Sequence, residues 1–209
     1  MNIKTLTSTL GIALTFIAIN AKAQKTINEG VATFSTVIQG QPAEAKQYFK
    51  ADSSATIITF GPGNVKILTT AKHDYLAVIL DIPVAGLKKA GIATPAEIEE
   101  GAAAYPSFTF TPTTETKQIA GFNCKKVTAK DSKSGKTYDV WVTNDIVVPP
   151  TALPFYYASI GGYPVQYTVF QQGQETTITI KTITDGKAPA GTYGIAPDFE
   201  KVGMSDLHP

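Results

Sequence analysis

Apolar and polar side chains alternate over many short stretches of the chain, which is the two-residue period of β-strands with two different faces. The clearest stretch covers residues 115–146, where two long strands are predicted on either side of the polar loop 131–136. Gly135 allows a positive φ in that loop, and so short a connection favours antiparallel pairing. This stretch is therefore predicted to form the central hairpin of a β-rich fold.

Similar patterns predict about ten strands in all. Outside the central hairpin, strands are predicted over residues 30–38, 54–60, 65–71, 75–82, 107–111, 165–170 and 175–184. Other segments are less specific. Residues 41–50 suit either a short helix or an extended connection, residues 86–90 suit a turn, and residues 153–160 suit a short helix packed on the sheet. Residues 193–195 suit a short edge strand or a cover for the sheet.

One segment carries strong helix signals. Thr94 and Glu97 have the spacing of a capping box, and Pro95 follows the cap, so a helix is predicted over Pro95–Ala104. Its apolar stripe is modest, so it is expected to cover a core rather than fill one. No βαβ rhythm or fixed repeat is present. The pattern predicts a mainly β fold with short helices (α+β), in which helices cover a curved antiparallel sheet or incomplete β-barrel.

The central hairpin also carries a family resemblance. Its strands read I-x-G-F-x-C-K-K and G-x-x-Y-D-V-W-V-T-x-D-I, which resemble a family of secreted bacterial proteins of unknown function with the fold of the LolA/LolB lipoprotein carriers. The residues that carry the resemblance are Ile119, Gly121, Phe122, Cys124, Lys125, Lys126, Tyr138, Asp139, Val140, Trp141, Thr143, Asp145 and Ile146. The resemblance implies an incomplete barrel whose open side is plugged by helices, and a binding role without a catalytic residue.

The N-terminus has the pattern of a secretory signal peptide. Lys4 precedes an apolar run at residues 10–19, and Ala21-Lys22-Ala23 is a small-x-small cleavage site. Cleavage is predicted after Ala23, which leaves a single domain over residues 24–209 in the periplasm or outside the cell. The apolar run is too short for a membrane-spanning helix, and no later segment is long and apolar enough for one.

Composition narrows the classes of function. The 209-residue chain is 43% hydrophobic and 17% charged, which is typical of a globular protein. All 18 basic residues are lysines, and without Lys4 and Lys22 the remaining lysines almost balance the 17 acidic residues. A near-neutral chain without arginine disfavours nucleic-acid binding, which depends on clustered basic side chains.

Candidate catalytic and metal-binding residues are few. Cys124 is the only cysteine and is predicted in mid-strand, which is typical of a buried structural thiol. His73 is predicted in a turn, and no histidine has the spacing of a metal ligand set, so neither a metal nor a cofactor is predicted. Asp139 and Asp145 flank Trp141 on a strand, which is more typical of a solvated face than of glycosidase carboxylates. The chain is therefore predicted not to be an enzyme.

Aromatic side chains are the remaining candidates for a binding site. Six are predicted to line a ligand cavity: Trp141, Phe155, Tyr156, Tyr157, Tyr163 and Tyr167. Two alternatives stay open at this point. The rings surround space for the acyl chain of a lipid or lipopeptide, which indicates a non-enzymatic binding protein, or they fill the core, which indicates a structural or interaction protein with a cell-envelope partner.

Overall fold

The computed structural model describes residues 24–38, 41–171 and 173–207. Strands make up 57% of it, and these ranges contain one α-helix, α1 (Pro95–Ala104). The strands are β1 (Lys25–Thr26), β2 (Gly30–Ile38), β3 (Gln41–Phe49), β4 (Ser53–Phe60), β5 (Gly63–Thr70), β6 (Leu76–Ile82), β7 (Leu87–Ile92), β8 (Phe108–Ile119), β9 (Phe122–Asp131), β10 (Thr137–Thr143), β11 (Ile146–Val147), β12 (Tyr163–Gln171), β13 (Gln174–Asp185) and β14 (Glu200–Gly203). Short 3-10 turns occupy Pro83–Ala85, Pro150–Ala152, Phe155–Tyr157 and Met204–Asp206.

Twelve strands form one open, mixed sheet in the order β14-β7-β6-β5-β4-β3-β2-β13-β12-β10-β9-β8. Ten of its neighbouring pairs are antiparallel, and the β14–β7 pair is parallel. β8 and β14 are the two edges of the sheet, so the sheet does not close into a barrel. β1 and β11 form a separate parallel pair.

Strands that are distant in the strand order line the same cavity. β5 and β12 are five positions apart in the strand order, which corresponds to roughly 24 Å in a flat sheet. Side chains from both strands nevertheless line the same cavity of about 700 Å³. The sheet therefore folds over, and the architecture is β-sandwich-like.

The largest core lies beside the second half of the sheet. It combines the inward faces of β9, β10, β12 and β13 with Phe49 and with the 3-10 turn Phe155–Tyr157. Tyr157 is its largest fully buried side chain, and Val140 and Val165 are buried beside it. Alternate residues of β10 and β12 point into this core because successive strand residues face opposite sides of a sheet.

A second core lies on the other half of the sheet, under the C-terminal segment. Alanines and larger aliphatic side chains of β4–β7 are buried there, and Tyr193, Ile195 and Phe199 pack against them. The Lys66 ammonium donates to the Gly194 carbonyl at 2.7 Å. The Lys88 ammonium lies 5.0 Å from the centroid of the Phe199 ring and forms a cation–π interaction with it. The segment is therefore fixed on the sheet face opposite the cavity.

The fold class predicted from the sequence is wrong. The sheet is mixed and open, and one α-helix is present in the described ranges, where several covering helices were expected. α1 contains no buried residue, so it does not cover a core. Two segments for which a helix was considered are not helical: residues 41–49 form a strand, and residues 153–160 contain only the 3-10 turn Phe155–Tyr157.

The central hairpin is present, but its first strand is split. Ala120 and Gly121 have φ values of 51° and 83° and form a tight turn between β8 and β9, as two-residue hairpin turns with two positive φ values do. The predicted loop after β9 is confirmed, with Gly135 at φ 74°. The sequence therefore contains two consecutive hairpins in which β9 is the shared strand.

Two other predictions differ from the structure. Residues 86–90 were assigned a turn, but Leu87–Ile92 is a strand that pairs with β6 on one side and β14 on the other. The strand predicted over residues 107–111 and the first strand of the central hairpin belong to one strand, β8 (Phe108–Ile119). β8 continues past Pro112, which lies at a register shift on an edge strand, where a residue without an N–H donor is tolerated. The predicted helix Pro95–Ala104 is confirmed, including its capping box.

The predicted signal peptide, residues 1–23, lies outside the described residues. Among the described helices, none is long and apolar enough to cross a membrane.

Candidate functional site

The candidate site is the partly open cavity of about 700 Å³ between the folded sheet and the segments that flank it. One wall is formed by one face of β2, β3, β4, β5, β12 and β13. The opposite wall is formed by α1, the β5–β6 turn and the 3-10 turn Phe155–Tyr157. This volume lies within the 300–1,000 Å³ range of small-molecule sites.

Strand register explains why these particular sheet residues line the cavity. Thr56 of β4 lies directly opposite Gln47 of β3 and Ile67 of β5, and all three line the cavity. Tyr167 of β12 lies opposite Ile178 of β13, and both line it as well. Directly opposed residues of antiparallel strands share a face, so the cavity wall is one continuous face of the sheet.

Hydrogen bonds cap both ends of α1. The Thr94 hydroxyl accepts from the Glu97 amide, while the Glu97 carboxylate accepts from the Thr94 amide at 2.7 Å. At the other end, the Lys133 ammonium donates to the carbonyls of Ala103 and Tyr105, at 2.6 and 2.7 Å. Both contacts complement the helix dipole. The Lys133 contact also attaches the C-terminal end of α1 to the loop after β9, although the helix buries none of its residues.

Aromatic rings form a stacked group beside α1. Tyr105 stacks on Tyr156, with ring centroids 5.2 Å apart and an angle of 17° between the ring planes. Phe155 packs edge-on against both rings at 5.3 Å. Phe155 remains 37% exposed, which is high for a phenylalanine and places its ring at the opening of the cavity.

The six aromatic residues predicted to line a cavity are divided by the structure. Phe155, Tyr156 and Tyr167 line it. Tyr157 and Tyr163 are instead buried in the core, at 0% and 3% exposure.

The sixth residue, Trp141, lies away from the cavity. It is half-buried on β10, where the Lys117 ammonium lies 4.0 Å from the centroid of its ring. Its cross-strand neighbour Lys126 forms ion pairs with Glu115 and Asp139 at 2.7 and 3.1 Å. These charges surround the indole, so Trp141 belongs to a polar outer surface of the sheet.

Sequence reasoning missed most of the sheet wall. Phe34, Ile58 and Ile67 line the cavity although none was singled out. Alternation in β4 places Thr56 and Ile58 on one face, so the signal was present, but sequence alone does not distinguish a face against a core from a face against a cavity.

Burial and hydrogen bonds set the charge states around the cavity. Desolvation raises the pKa of Tyr156, of Tyr157 and of Tyr167 far above the usual value, so these phenols are neutral. Asp74 accepts a hydrogen bond from the Thr70 hydroxyl at 2.6 Å, which lowers the pKa of its carboxyl. Backbone and side-chain donation from Thr94 lowers the pKa of Glu97. Both carboxylates are therefore ionised at neutral pH.

The other candidate residues do not form a reactive group. Cys124 is 1% exposed, and burial raises the pKa of its thiol, which disfavours the nucleophilic thiolate. His73 lies in the β5–β6 turn with φ 55°, and its ring packs at 5.5 Å from Phe155. Among the described residues, no group of three or more histidine, cysteine, aspartate or glutamate side chains is placed to hold a metal ion.

Comparisons with known proteins give a similarity of fold only. No protein-family model and no curated protein matches the chain. Two structures of PNGF-II, in space groups C2 and P21, match it at 14% identity, with TM-scores of 0.50 and 0.48 over 85% and 84% of this chain. The match spans 31% of the PNGF-II chain, so this protein corresponds to about a third of that length. The resemblance to LolA/LolB-like proteins stays a prediction.

Proposed function

We propose that this protein is a non-enzymatic binding protein that holds the apolar chain of a lipid or other amphiphile in the cavity beside α1. The single observation that carries the proposal is the cavity of about 700 Å³ whose sheet wall consists of apolar and uncharged polar side chains. Each methylene group that leaves water for such a wall contributes about 0.8 kcal/mol. Ile58, Ile67 and Val169 supply aliphatic contacts along it.

The positions of the two cores favour a ligand-binding cavity over a sheet face that is filled by the protein's own side chains. Tyr157 and Tyr163 do not line the cavity, although the core that contains them borders it, since Tyr167 and Ile178 belong to both. The C-terminal segment packs on the opposite face of β4–β7. Neither group occupies the cavity, so its apolar lining is free to contact a ligand.

The proposal is tested with N-phenyl-1-naphthylamine, an uncharged fluorescent probe of apolar sites. Saturable binding of one probe per chain, competed by a long-chain alcohol, is the expected result. Absence of saturable binding would overturn the proposal and favour the alternative, a structural or interaction protein with a cell-envelope partner.

A matched pair of variants locates the binding. Ala102 and Ala103 are neighbouring exposed residues of α1, but only Ala102 lines the cavity. Ala102→Trp is expected to fill part of the cavity and weaken probe binding about tenfold or more. Ala103→Trp carries the same helix-propensity cost, which is below about 0.7 kcal/mol, and is expected to bind like the parent protein. Equal binding by both variants contradicts a site at α1.

We also propose that the protein acts in the periplasm or outside the cell, because residues 1–23 have the pattern of a signal peptide. Intact-mass measurement of the protein from its native source is expected to show a chain that begins at Gln24. A chain that retains Met1–Ala23 contradicts secretion by cleavage.

A further inference from the structure

The charges that line the cavity are distributed unevenly. Every charged residue of the lining comes from the β5–β6 turn or from α1, namely Asp74, Glu97 and Glu99, together with the titratable His73. In the described part of the chain, no sheet residue of the lining carries a charge. The cavity therefore has an uncharged side along the sheet and an acidic side along α1.

Lysine is missing from this site although it is the commonest charged residue of the chain. The sequence contains 18 basic residues, all lysines, and among the described residues none of them lines the cavity. An anionic head group, such as the carboxylate of a fatty acid, would meet three acidic side chains, while Lys72, whose charge helps to lower the pKa of Asp74, does not line the cavity. Since like charges repel more strongly near a low-dielectric wall, the site opposes long-chain acids.

The same side of the cavity presents aromatic rings. Phe155, Tyr105 and Tyr156 form the stacked group beside α1, and all three line the cavity. Ammonium groups bind to the faces of aromatic rings, and quaternary ammonium ligands are recognised in this way. Rings and carboxylates in one cavity therefore have the chemistry that selects a cation.

The three carboxylates differ in how much of their hydrogen-bonding capacity the protein uses. Asp74 accepts from the Thr70 hydroxyl, and Glu97 accepts from Thr94 in the capping box. Within the described part of the chain, the Glu99 carboxylate makes neither a hydrogen bond nor an ion pair, whereas its backbone belongs to the helix. Its carboxylate is the one that can approach a ligand without giving up a structural contact.

We propose, on the basis of the binding function proposed above, that the cavity prefers amphiphiles with a cationic head group, that is, long-chain amines or quaternary ammonium compounds. The apolar chain lies along the sheet wall, and the cation lies between the aromatic group and the acidic side of α1. Glu99 is the positioning carboxylate for that cation.

The proposal is tested with three amphiphiles that share a decyl chain: decyltrimethylammonium, decanoate and decyl maltoside. Displacement of N-phenyl-1-naphthylamine by each compound is measured at concentrations below the compound's micelle threshold. Decyltrimethylammonium is expected to bind about tenfold more tightly than decanoate, since an exposed cation–π contact and an exposed charge contact each contribute about threefold. The preference is expected to shrink in high salt because exposed charges are screened.

Glu99→Gln and Glu100→Gln form the matched pair of variants. Both residues are exposed and adjacent on α1, but Glu100 does not line the cavity. Glu99→Gln is expected to reduce the preference for the cation about threefold and to leave decyl maltoside binding unchanged, whereas Glu100→Gln retains the parent preference.

The outcomes separate the two proposals. Equal or tighter binding of decanoate, or equal effects of the two glutamine variants, overturns the preference for cations while leaving the binding function standing. Failure of all three compounds to displace the probe overturns both proposals.

Discussion

Tyr157 offers the most direct test of how the aromatic residues divide between core and cavity. Its side chain is completely buried, and its hydroxyl donates a hydrogen bond to the Thr168 carbonyl at 2.8 Å. Its ring stacks on Phe108 at 5.3 Å and meets Tyr167 edge-on at 5.6 Å. Two substitutions separate the contribution of the hydroxyl from that of the ring.

Tyr157→Phe removes only the hydroxyl and leaves the ring contacts in place. The Thr168 carbonyl then loses a buried donor, which is expected to lower the free energy of unfolding by about 1–2 kcal/mol. Tyr157→Ala also removes the ring and leaves a cavity, which is expected to cost about 3–5 kcal/mol. Phe155→Ala is the control, and its cost is expected to be below that of Tyr157→Ala by at least ~2 kcal/mol because Phe155 is 37% exposed.

Urea unfolding, followed by the fluorescence of Trp141 and by circular dichroism, measures these differences. With a slope of about 2 kcal/mol/M, Tyr157→Phe is expected to lower the urea midpoint by roughly 0.5–1 M at an unchanged slope. A midpoint within about 0.1 M of the parent would refute the contribution of the Thr168 hydrogen bond. Equal costs for Tyr157→Ala and Phe155→Ala would refute the assignment of Tyr157 to the core and Phe155 to the cavity.

Two further predictions concern stability. Four donors converge on the Asp131 carboxylate, from the Ser134 hydroxyl and the amides of Ser107, Lys133 and Ser134, and they lower its pKa to about 2. Because the folded-state pKa lies below the unfolded value, Asp131 is expected to stabilise the fold above about pH 4, and this contribution is lost as the pH falls towards 2. Asp131→Asn is therefore expected to reduce the difference between the urea midpoints at pH 6 and pH 3. An unchanged difference contradicts this prediction. Gly162→Ala is expected to destabilise the fold, since the added Cβ would lie 2.5 Å from Asn144 Oδ1 and 2.6 Å from Val142 Cγ1. Gly101→Ala in α1 meets nothing within 4 Å and is expected to stabilise the fold by about 0.5–1 kcal/mol. Thermal melts that rank the two variants in the opposite order refute this packing argument.

Local signals in the sequence predicted the elements that local interactions determine. α1 begins at the predicted residue because Thr94 and Glu97 bond each other across three positions, and no distant contact is needed for that cap. The 131–136 loop likewise depends on Gly135 and on donors within the loop. α1 has its predicted bounds, and the loop differs by one residue because Asp131 is the last residue of β9.

Strand pairing decided the elements that were missed. Leu87–Ile92 contains two lysines and a glycine, which are weak strand formers, yet it is a strand because β6 and β14 pair with it on both sides. Residues 41–49 form a strand because the preceding and following strands, β2 and β4, flank them. The pairing partners of a strand, whether next along the chain or distant as β14 is from β7, do not appear in the strand's own pattern of residues.

The aromatic residues show the same limit at the level of the site. Phe155, Tyr156 and Tyr157 are consecutive, yet Tyr157 lies in the core while Phe155 is 37% exposed at the cavity. The 3-10 turn directs successive side chains to different sides, so adjacency in the sequence does not imply a shared environment. Cavity volume depends on the positions of whole strands, which composition does not reveal.

The two faces of β4 and β5 differ in what covers them. On one face, Ala55 and Leu68 are buried under the C-terminal segment. On the other face, Ile67 remains half-exposed at the cavity. Apolar surface left in contact with water forgoes about 25 cal/mol for each Å² that burial would remove. Ile58 and Ile67 share that face with Thr56 and Thr69, and the amphiphile proposed above would remove the exposed apolar part of the face from water.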